Sequence, residues 1–151
     1  MRISSSQSFF WATHLQVITT STTKNVVGRF GYTFEVDIVL NDVNPENFDA
    51  VFFVGGSGSA EFLDNTQAQT LFETFLDQNK PIAEICAAPR NFLKWGILRN
   101  KKCTGFDADG VFSKLAIEYG AIATPEKEVV LDGLILTANG PKLRKHSHLH
   151  L

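Results

Sequence analysis

Residues 80–92 read KPIAEICAAPRNF. The segment PIAEI at 81–85 is a short apolar run with the length and composition of a buried strand. Small residues follow Cys86, and Pro89 suits the first turn of a helix, because an N–H at that position would have no intrahelical acceptor. The stretch therefore predicts a strand that turns directly into a helix, with Cys86 at the turn.

The same alternation of strands and helices continues along the chain. The predicted strands span 15–20, 26–40 (a hairpin-like pair around Gly28 and Gly31), 50–56, 81–86, 101–106 and 129–140 (two strands around an Asp-Gly turn); the predicted helices span 66–79, 88–98 and 110–120. Unbroken apolar strands such as AVFFV are typical of sheets covered on both faces. The order predicts an α/β fold, a three-layer sandwich with helices on both faces of a mostly parallel sheet.

Composition narrows the class of protein. The 151 residues suit one domain, predicted to span 1–151, and the net charge of -2 offers no basic surface for nucleic acid or anionic lipid. Two cysteines form no disulfide framework and match no zinc spacing, which favours a reducing, cytoplasmic location. The N-terminal segment is too polar for a signal peptide or a membrane span. We therefore expect a small-molecule or protein partner, and neither nucleic acid nor a membrane.

Cys86 has two interpretations at this stage. Free cysteine is among the most buried residue types, so it could be an inert core residue. Alternatively, cysteines at helix N-termini have pKa values lowered from about 8.5 toward roughly 3.5 to 7.5, because the helix dipole favours the thiolate. A tight strand-to-helix turn also presents a nucleophile and an N–H donor for an oxyanion. Spacing alone does not separate these interpretations.

Three sequence motifs, in this order along the chain, resemble those of a known protein family. FDAVFFVGGSGSAEFLDN (48–65), KPIAEICAAPRNFLKWGILRNKKCTGF (80–106) and VVLDGLILTANGP (129–141) resemble the ThiJ/PfpI superfamily, and the likeness covers residues 26–141. It implies a flavodoxin-like fold related to class I glutamine amidotransferases, in a homodimer or larger oligomer. Members include cysteine-dependent peptidases and amidases, glyoxalases, deglycases, chaperones and oxidative-stress sensors.

The resemblance also implies site residues. Cys86 matches the position of the family nucleophile, the backbone N–H groups of Gly56 and Ala87 match the oxyanion donors, and Gly55 belongs to the same glycine turn. The implied substrate is a small carbonyl or amide compound, with no cofactor and no metal.

The chain departs from the family pattern in its proton-transfer groups. Ala87 stands where protease-like members carry a histidine, and Phe106 stands where the glyoxalase and deglycase branch carries another. The four histidines are His14, His146, His148 and His150, and none of them lies within the motifs. The glutamate that the family supplies from a helix after its first strand has no counterpart, and the ends at 1–14 and 142–151 are atypical.

Two acids are candidates to replace the missing groups. Glu61 follows the glycine turn, although an exposed acid at a helix start is an equally good interpretation. Glu84 lies two residues before Cys86, on the same face of the strand by alternation, and a buried carboxylate there requires a partner or a raised pKa. Cys103 is predicted to be a core residue, and the tail motif HSHLH at 146–150 a solvated segment.

Two function hypotheses follow. The first is a cysteine-dependent hydrolase, glyoxalase or deglycase, with Cys86 attacking and Glu61 or Glu84 moving the proton. The second is a non-catalytic redox-sensing, chaperone-like or interaction protein that keeps an oxidisable thiol.

Overall fold

The structure is a computed structural model that describes residues 15–140, which fall into two compact units, 15–44 and 45–140. The first unit holds two pairs of short strands: β1 (Thr20–Ser21) with β4 (Ile38–Val39), parallel, and β2 (Asn25–Val27) with β3 (Thr33–Glu35), antiparallel. The second pair is the hairpin predicted around Gly28 and Gly31, whose turn includes a left-handed Gly31. The strand predicted at 15–20 is observed only as β1. The predicted tail histidines and atypical ends lie outside the described residues.

The second unit is built on a four-stranded sheet in the order β5-β6-β10-β9. The strands of this unit are β5 (Val51–Phe53), β6 (Ile82–Ile85), β7 (Lys102–Cys103), β8 (Ile122–Ala123), β9 (Val129–Asp132) and β10 (Ile135–Ala138). Strands β5, β6 and β10 are parallel, β9 joins β10 as an antiparallel hairpin, and β7 with β8 forms a separate parallel pair. The predicted α/β fold with a mostly parallel sheet is confirmed.

Within residues 45–140, three α-helices connect the strands: α1 (Thr66–Asp77), α2 (Pro89–Lys94) and α3 (Val111–Glu118). The Asn65 side chain caps α1 by accepting a hydrogen bond from the Ala68 N–H at 2.8 Å. Helix α2 is shorter than the predicted 88–98, because the chain reaches a left-handed conformation at Gly96 that ends a helix. The segment after it continues as turns to residue 100.

One face of the sheet carries the core. Phe53 of β5 stacks on Phe72 of α1 with ring centroids 5.6 Å apart, and Phe72 meets Phe92 of α2 edge to face at 4.8 Å. The alternate residues of the outer strands point the other way and are more open, since Phe52 is 42% exposed and Leu131 is 67% exposed. The aromatic cluster therefore fixes β5, α1 and α2 against one another, and with them the start of α2.

Replacement of Phe92 by alanine tests this core. Phe92 is fully buried, so Phe92→Ala should lower the free energy of unfolding by about 3 to 5 kcal/mol through lost burial and a cavity. Phe52→Ala removes the same atoms from a half-open position and should cost about 1 kcal/mol. Urea unfolding of both variants measures the difference, and equal losses would contradict the placement of the core.

Candidate active site

Cys86 lies directly after β6, where the chain turns into α2. Its φ of +65° is left-handed, a conformation that side-chain-bearing residues adopt rarely and at a cost of about 1 to 3 kcal/mol. Hydrogen bonds hold this turn on both sides: the Cys86 N–H donates to Ala138 O at 2.8 Å, and Cys86 O accepts from the Phe106 N–H at 2.7 Å. The backbone of Cys86 is therefore fixed between β10 and the loop after β7.

Two glycines allow other segments to pack directly on this turn. A Cβ atom at Gly55 would stand 2.1 Å from Ile85 O and 2.7 Å from the Ala87 nitrogen. A Cβ atom at Gly140 would stand 2.8 Å from Cys86 Cβ and 3.2 Å from its Sγ. Since real Cβ atoms do not approach so closely, both positions require glycine. The glycine turn after β5 thus packs on the backbone around Cys86, and the segment after β10 packs on its side chain.

Backbone donors accompany the thiol. Gly56 is in extended conformation and precedes a 3-10 helix, Ser57–Phe62, and the contact made by Gly55 places this turn beside the Ala87 nitrogen. Within residues 15–140, the N–H groups of Gly56 and Ala87 donate to no acceptor. Backbone N–H groups without acceptors are the kind of donor that a developing oxyanion requires, and that of Ala87 belongs to the residue directly after the cysteine.

The two candidate acids occupy very different places. Glu61 is exposed in the 3-10 helix, whereas Glu84 is fully buried and both its carboxylate oxygens lack a hydrogen-bond partner within the described chain. Burial raises the pKa of Glu84 well above its ordinary value. Its raised pKa is one of the two outcomes that the sequence required of this residue. Neither acid hydrogen-bonds to Cys86 in the part of the chain that is described, and their catalytic roles stay predictions.

Glu84 also influences the thiol of Cys103. Cys103 is fully buried, and burial first, then the neighbouring Glu84 carboxylate, raises the pKa of its thiol to about 12. Cys103 is therefore the inert core thiol that the sequence predicts. The Cys103 thiol makes a long contact to Ile122 O, at 3.9 Å.

Sequence reasoning missed Arg90 and Asp109. Arg90 Nη2 donates to both carboxylate oxygens of Asp109, at 2.7 and 2.9 Å, and to Phe106 O at 3.0 Å. This cluster lies one residue past Pro89, against the loop that binds the Cys86 carbonyl. A basic residue in a first helical turn and an acid in the loop DADG (107–110) carry no signal of this contact in a single sequence.

A cavity of about 300 Å³ opens beside the ends of β6 and β10. It is lined by Ile85, Glu128, Val129, Ala138, Asn139 and Gly140. Its lining includes Gly140, the glycine that packs closely against Cys86. In residues 15–140 no three acidic, histidine or cysteine side chains are grouped to hold a metal ion. Among the described helices, none has the length and apolar character needed to cross a membrane.

The close approach at Gly55 can be tested with its neighbour as control. Gly55→Ala should lower the free energy of unfolding by about 2 kcal/mol or more, because the added Cβ collides with backbone atoms that cannot move away cheaply. At Gly56 a Cβ atom meets nothing within 4 Å, so Gly56→Ala should be nearly neutral for stability. Thermal unfolding of the two variants measures the difference in stability. Equal stabilities of Gly55→Ala and Gly56→Ala would contradict the close packing of Gly55 on the cysteine turn.

The buried carboxyl group predicts a pH dependence. Because the pKa of Glu84 is raised in the folded protein, the unfolded chain loses this proton first as the pH rises. Its contribution to stability is fully present below about pH 4.5 and falls by up to about 1.4 kcal/mol per pH unit until the folded pKa is passed.

Glu84→Gln removes the titrating group and keeps its size. The free energy of unfolding of this variant should rise relative to the native protein as the pH increases from about 4.5 to 8. Glu61→Gln, at an exposed position, should follow the native curve throughout. Denaturant titrations at several pH values measure the free energy of unfolding. If its pH dependence were the same in the native protein and in Glu84→Gln, a raised pKa of Glu84 would be excluded.

Known proteins share both the sequence and the architecture. The sequence model of the DJ-1/PfpI family matches residues 6–146. An uncharacterized protein of Methanocaldococcus jannaschii is 37% identical over 87% of this chain and 64% of its own length. A deglycase of Pyrococcus horikoshii is 31% identical over 77% of this chain and 68% of its own length. The chain spans about two thirds of the length of these two relatives.

A solved structure agrees with this match. The crystal structure of a ThiJ/PfpI domain protein from Brachyspira murdochii superposes with a TM-score of 0.80 at 29% identity, covering 89% of this chain and 76% of that one. The cysteine turn, the glycine turn beside it and the match along nearly the whole sequence lead to one conclusion: the chain belongs to the DJ-1/PfpI family.

Proposed function

We propose that the protein is a cysteine-dependent enzyme of hydrolase, glyoxalase or deglycase type that acts on a small carbonyl or amide compound. The observation that carries the proposal is the left-handed Cys86 at a strand-to-helix turn, together with the N–H groups of Gly56 and Ala87, which have no acceptor in the described chain. The relative named as a deglycase, at 31% identity, supports the same class of chemistry. A homodimer in the cytoplasm remains part of this proposal, as the family resemblance implies.

The arrangement suits addition of a thiolate to a carbonyl group. Cys86 Sγ forms a bond to the carbonyl carbon while the π electron pair moves to the oxygen, and the N–H groups of Gly56 and Ala87 donate hydrogen bonds to that oxyanion. With an aldehyde, the oxyanion takes a proton and yields a hemithioacetal. With an amide, the oxyanion collapses, the C–N bond breaks and the protonated amine leaves. Water then attacks the thioester carbon, the C–S bond breaks, and a carboxylic acid leaves as the Cys86 thiol is restored.

Proton transfer is assigned to Glu61 with solvent water. Glu61 is open to solvent in the 3-10 helix that begins directly after Gly56, so it can exchange protons during a reaction at the glycine turn. Glu84 is enclosed and makes no hydrogen bond to the thiol within the described residues. Of the two acids, Glu61 is the better candidate for moving a proton, and Glu84 the better candidate for holding one.

A second function has its own support. No acid or histidine is hydrogen-bonded to Cys86 within residues 15–140, and Phe106 occupies the position where one family branch carries a histidine. A thiol without a proton partner suits a sensor in which Cys86 is oxidised to sulfenic acid by a peroxide, which is itself reduced to water or an alcohol. In this alternative the protein binds partners or reports oxidation and turns over no carbonyl substrate.

Turnover of methylglyoxal separates the two functions. The enzyme proposal expects that Cys86→Ala lowers kcat/KM by about 100-fold or more, because the nucleophile is lost. Cys103→Ala, which removes the buried thiol, should retain the activity of the native protein once its folding has been verified. Turnover that survives in Cys86→Ala would exclude the proposed nucleophile.

Alkylation by iodoacetamide provides an independent readout. At pH 8 the Cys103 thiol should stay unmodified in the folded protein, because it is buried and its pKa is about 12. Peptide mapping by mass should find the label on Cys86. Rapid labelling of Cys86 without methylglyoxal turnover would favour the sensor, whereas equal labelling of both thiols would argue against a specially exposed Cys86.

A further inference from the structure

One peptide group links the proposed nucleophile to a proposed oxyanion donor. The carbonyl of this group belongs to Cys86 and its N–H belongs to Ala87. In a planar trans peptide the C=O and N–H bonds point in opposite directions. Any contact that fixes the Cys86 carbonyl therefore also fixes the direction in which the Ala87 N–H points.

The contact that fixes this carbonyl comes from the loop between β7 and α3. The Phe106 N–H donates to Cys86 O at 2.7 Å, a short hydrogen bond for a pair of backbone groups. If Phe106 moved away, the Cys86–Ala87 peptide would lose the partner of its carbonyl and could rotate. The orientation of the Ala87 N–H thus depends on the position of Phe106.

Arg90 fastens Phe106 in place. Its Nη2 atom donates to Phe106 O at 3.0 Å and to the two Asp109 oxygens at 2.7 and 2.9 Å, and its guanidinium lies 5.8 Å from the centroid of the Phe106 ring. Its own backbone N–H donates to Ala87 O at 3.3 Å. Arg90 consequently joins the beginning of α2 to both ends of the segment 106–109.

Asp109 is itself tied to the following helix. Its Oδ1 accepts from the Val111 N–H at 3.1 Å, and the hydrogen bond from Arg90 lowers the pKa of its carboxyl. The planar guanidinium can donate hydrogen bonds to a carboxylate and a carbonyl at the same time, whereas a lysine ammonium lacks this planar arrangement of donors. Arg90 Nε, by contrast, is buried without a hydrogen-bond partner in the described chain. Leaving a buried donor unpaired costs stability, which offsets part of what the hydrogen bonds of Nη2 contribute.

We propose that Arg90 is a positioning residue for the reaction at Cys86: it holds Phe106 so that the Cys86–Ala87 peptide keeps the Ala87 N–H directed at the substrate oxygen. The inference rests on the proposed function for its catalytic consequence. The mechanical part, that Arg90 holds Phe106 against the Cys86 carbonyl, can be measured separately from any turnover.

The first readout is amide hydrogen exchange at Phe106. In Arg90→Met, the Phe106 N–H should exchange about tenfold faster relative to the amides of β6, the effect of weakening one hydrogen bond. Lys94→Met is the matched control, because Lys94 lies on the same helix and forms an ion pair of the same kind, 2.6 Å from Asp64. It should leave exchange at Phe106 unchanged.

The second readout is the division between kcat and KM for methylglyoxal. Arg90→Met should lower kcat by about 10- to 100-fold through a misdirected oxyanion donor, with KM changed by less than about twofold. Arg90→Lys should recover part of the loss, and Asp109→Asn should give a smaller loss than Arg90→Met. If Arg90→Met does not fold, Arg90→Lys and Asp109→Asn carry the same comparison.

The outcomes distinguish the two proposals. Unchanged exchange at Phe106 and unchanged kcat in folded Arg90→Met, or a loss equal to that in Lys94→Met, would overturn the role of Arg90 and leave the proposed function intact. Faster exchange at Phe106 in Arg90→Met, combined with no methylglyoxal turnover by the native protein, would support the role of Arg90 in holding Phe106 and show that the proposed function has failed.

Discussion

Cys86 keeps a left-handed backbone because three separate segments of the chain meet around it. The end of β10 accepts its N–H, the loop after β7 binds its carbonyl, and the glycine turn after β5 packs on the next peptide groups. A strained conformation persists only where its surroundings determine it from several directions. The order of β5, β6 and β10 in the sheet brings these segments together, so the geometry at the thiol is a direct product of strand order.

The aromatic core connects the elements on either side of the cysteine turn. Phe72 of α1 contacts both Phe53 and Phe92, so one aromatic cluster joins the strand before the glycine turn to the helix after the cysteine. The same core holds Glu84, a carboxyl group that has no hydrogen-bond partner within residues 15–140. Strand β6 thus combines a buried acid with a strained turn, and tight packing of its apolar neighbours offsets both costs.

Local sequence patterns were sufficient to predict the order of strands and helices and the turn at Cys86. Apolar runs, Pro89 and the glycines identify β5, β6 and the start of α2, because these signals act within a few residues. The early end of α2 follows from the backbone conformation of Gly96, which its residue type permits but does not require. Boundaries of short strands such as β7 depend on pairing with distant partners and are not encoded locally.

The site itself was predictable only in part. The positions of Cys86, Gly56 and Ala87 follow from the motifs, whereas the contacts of Arg90 and Asp109 join residues 19 positions apart and depend on how a loop folds back. The lack of a hydrogen bond between Glu84 and Cys86 likewise could not be read from strand alternation. Alternation gives the face of a side chain, but the chain leaves the regular strand at residue 86.

The left-handed conformation at residue 86 also bears on how this sequence can drift. Glycine adopts that conformation without a steric penalty, so exchange of Cys86 for glycine should make the folded chain more stable. If the thiol had no function, selection at this position would act on stability alone, and the substitution by glycine would be favoured. In naturally occurring variants, cysteine at position 86 therefore indicates that the thiol has a function, and glycine indicates that the function has been lost.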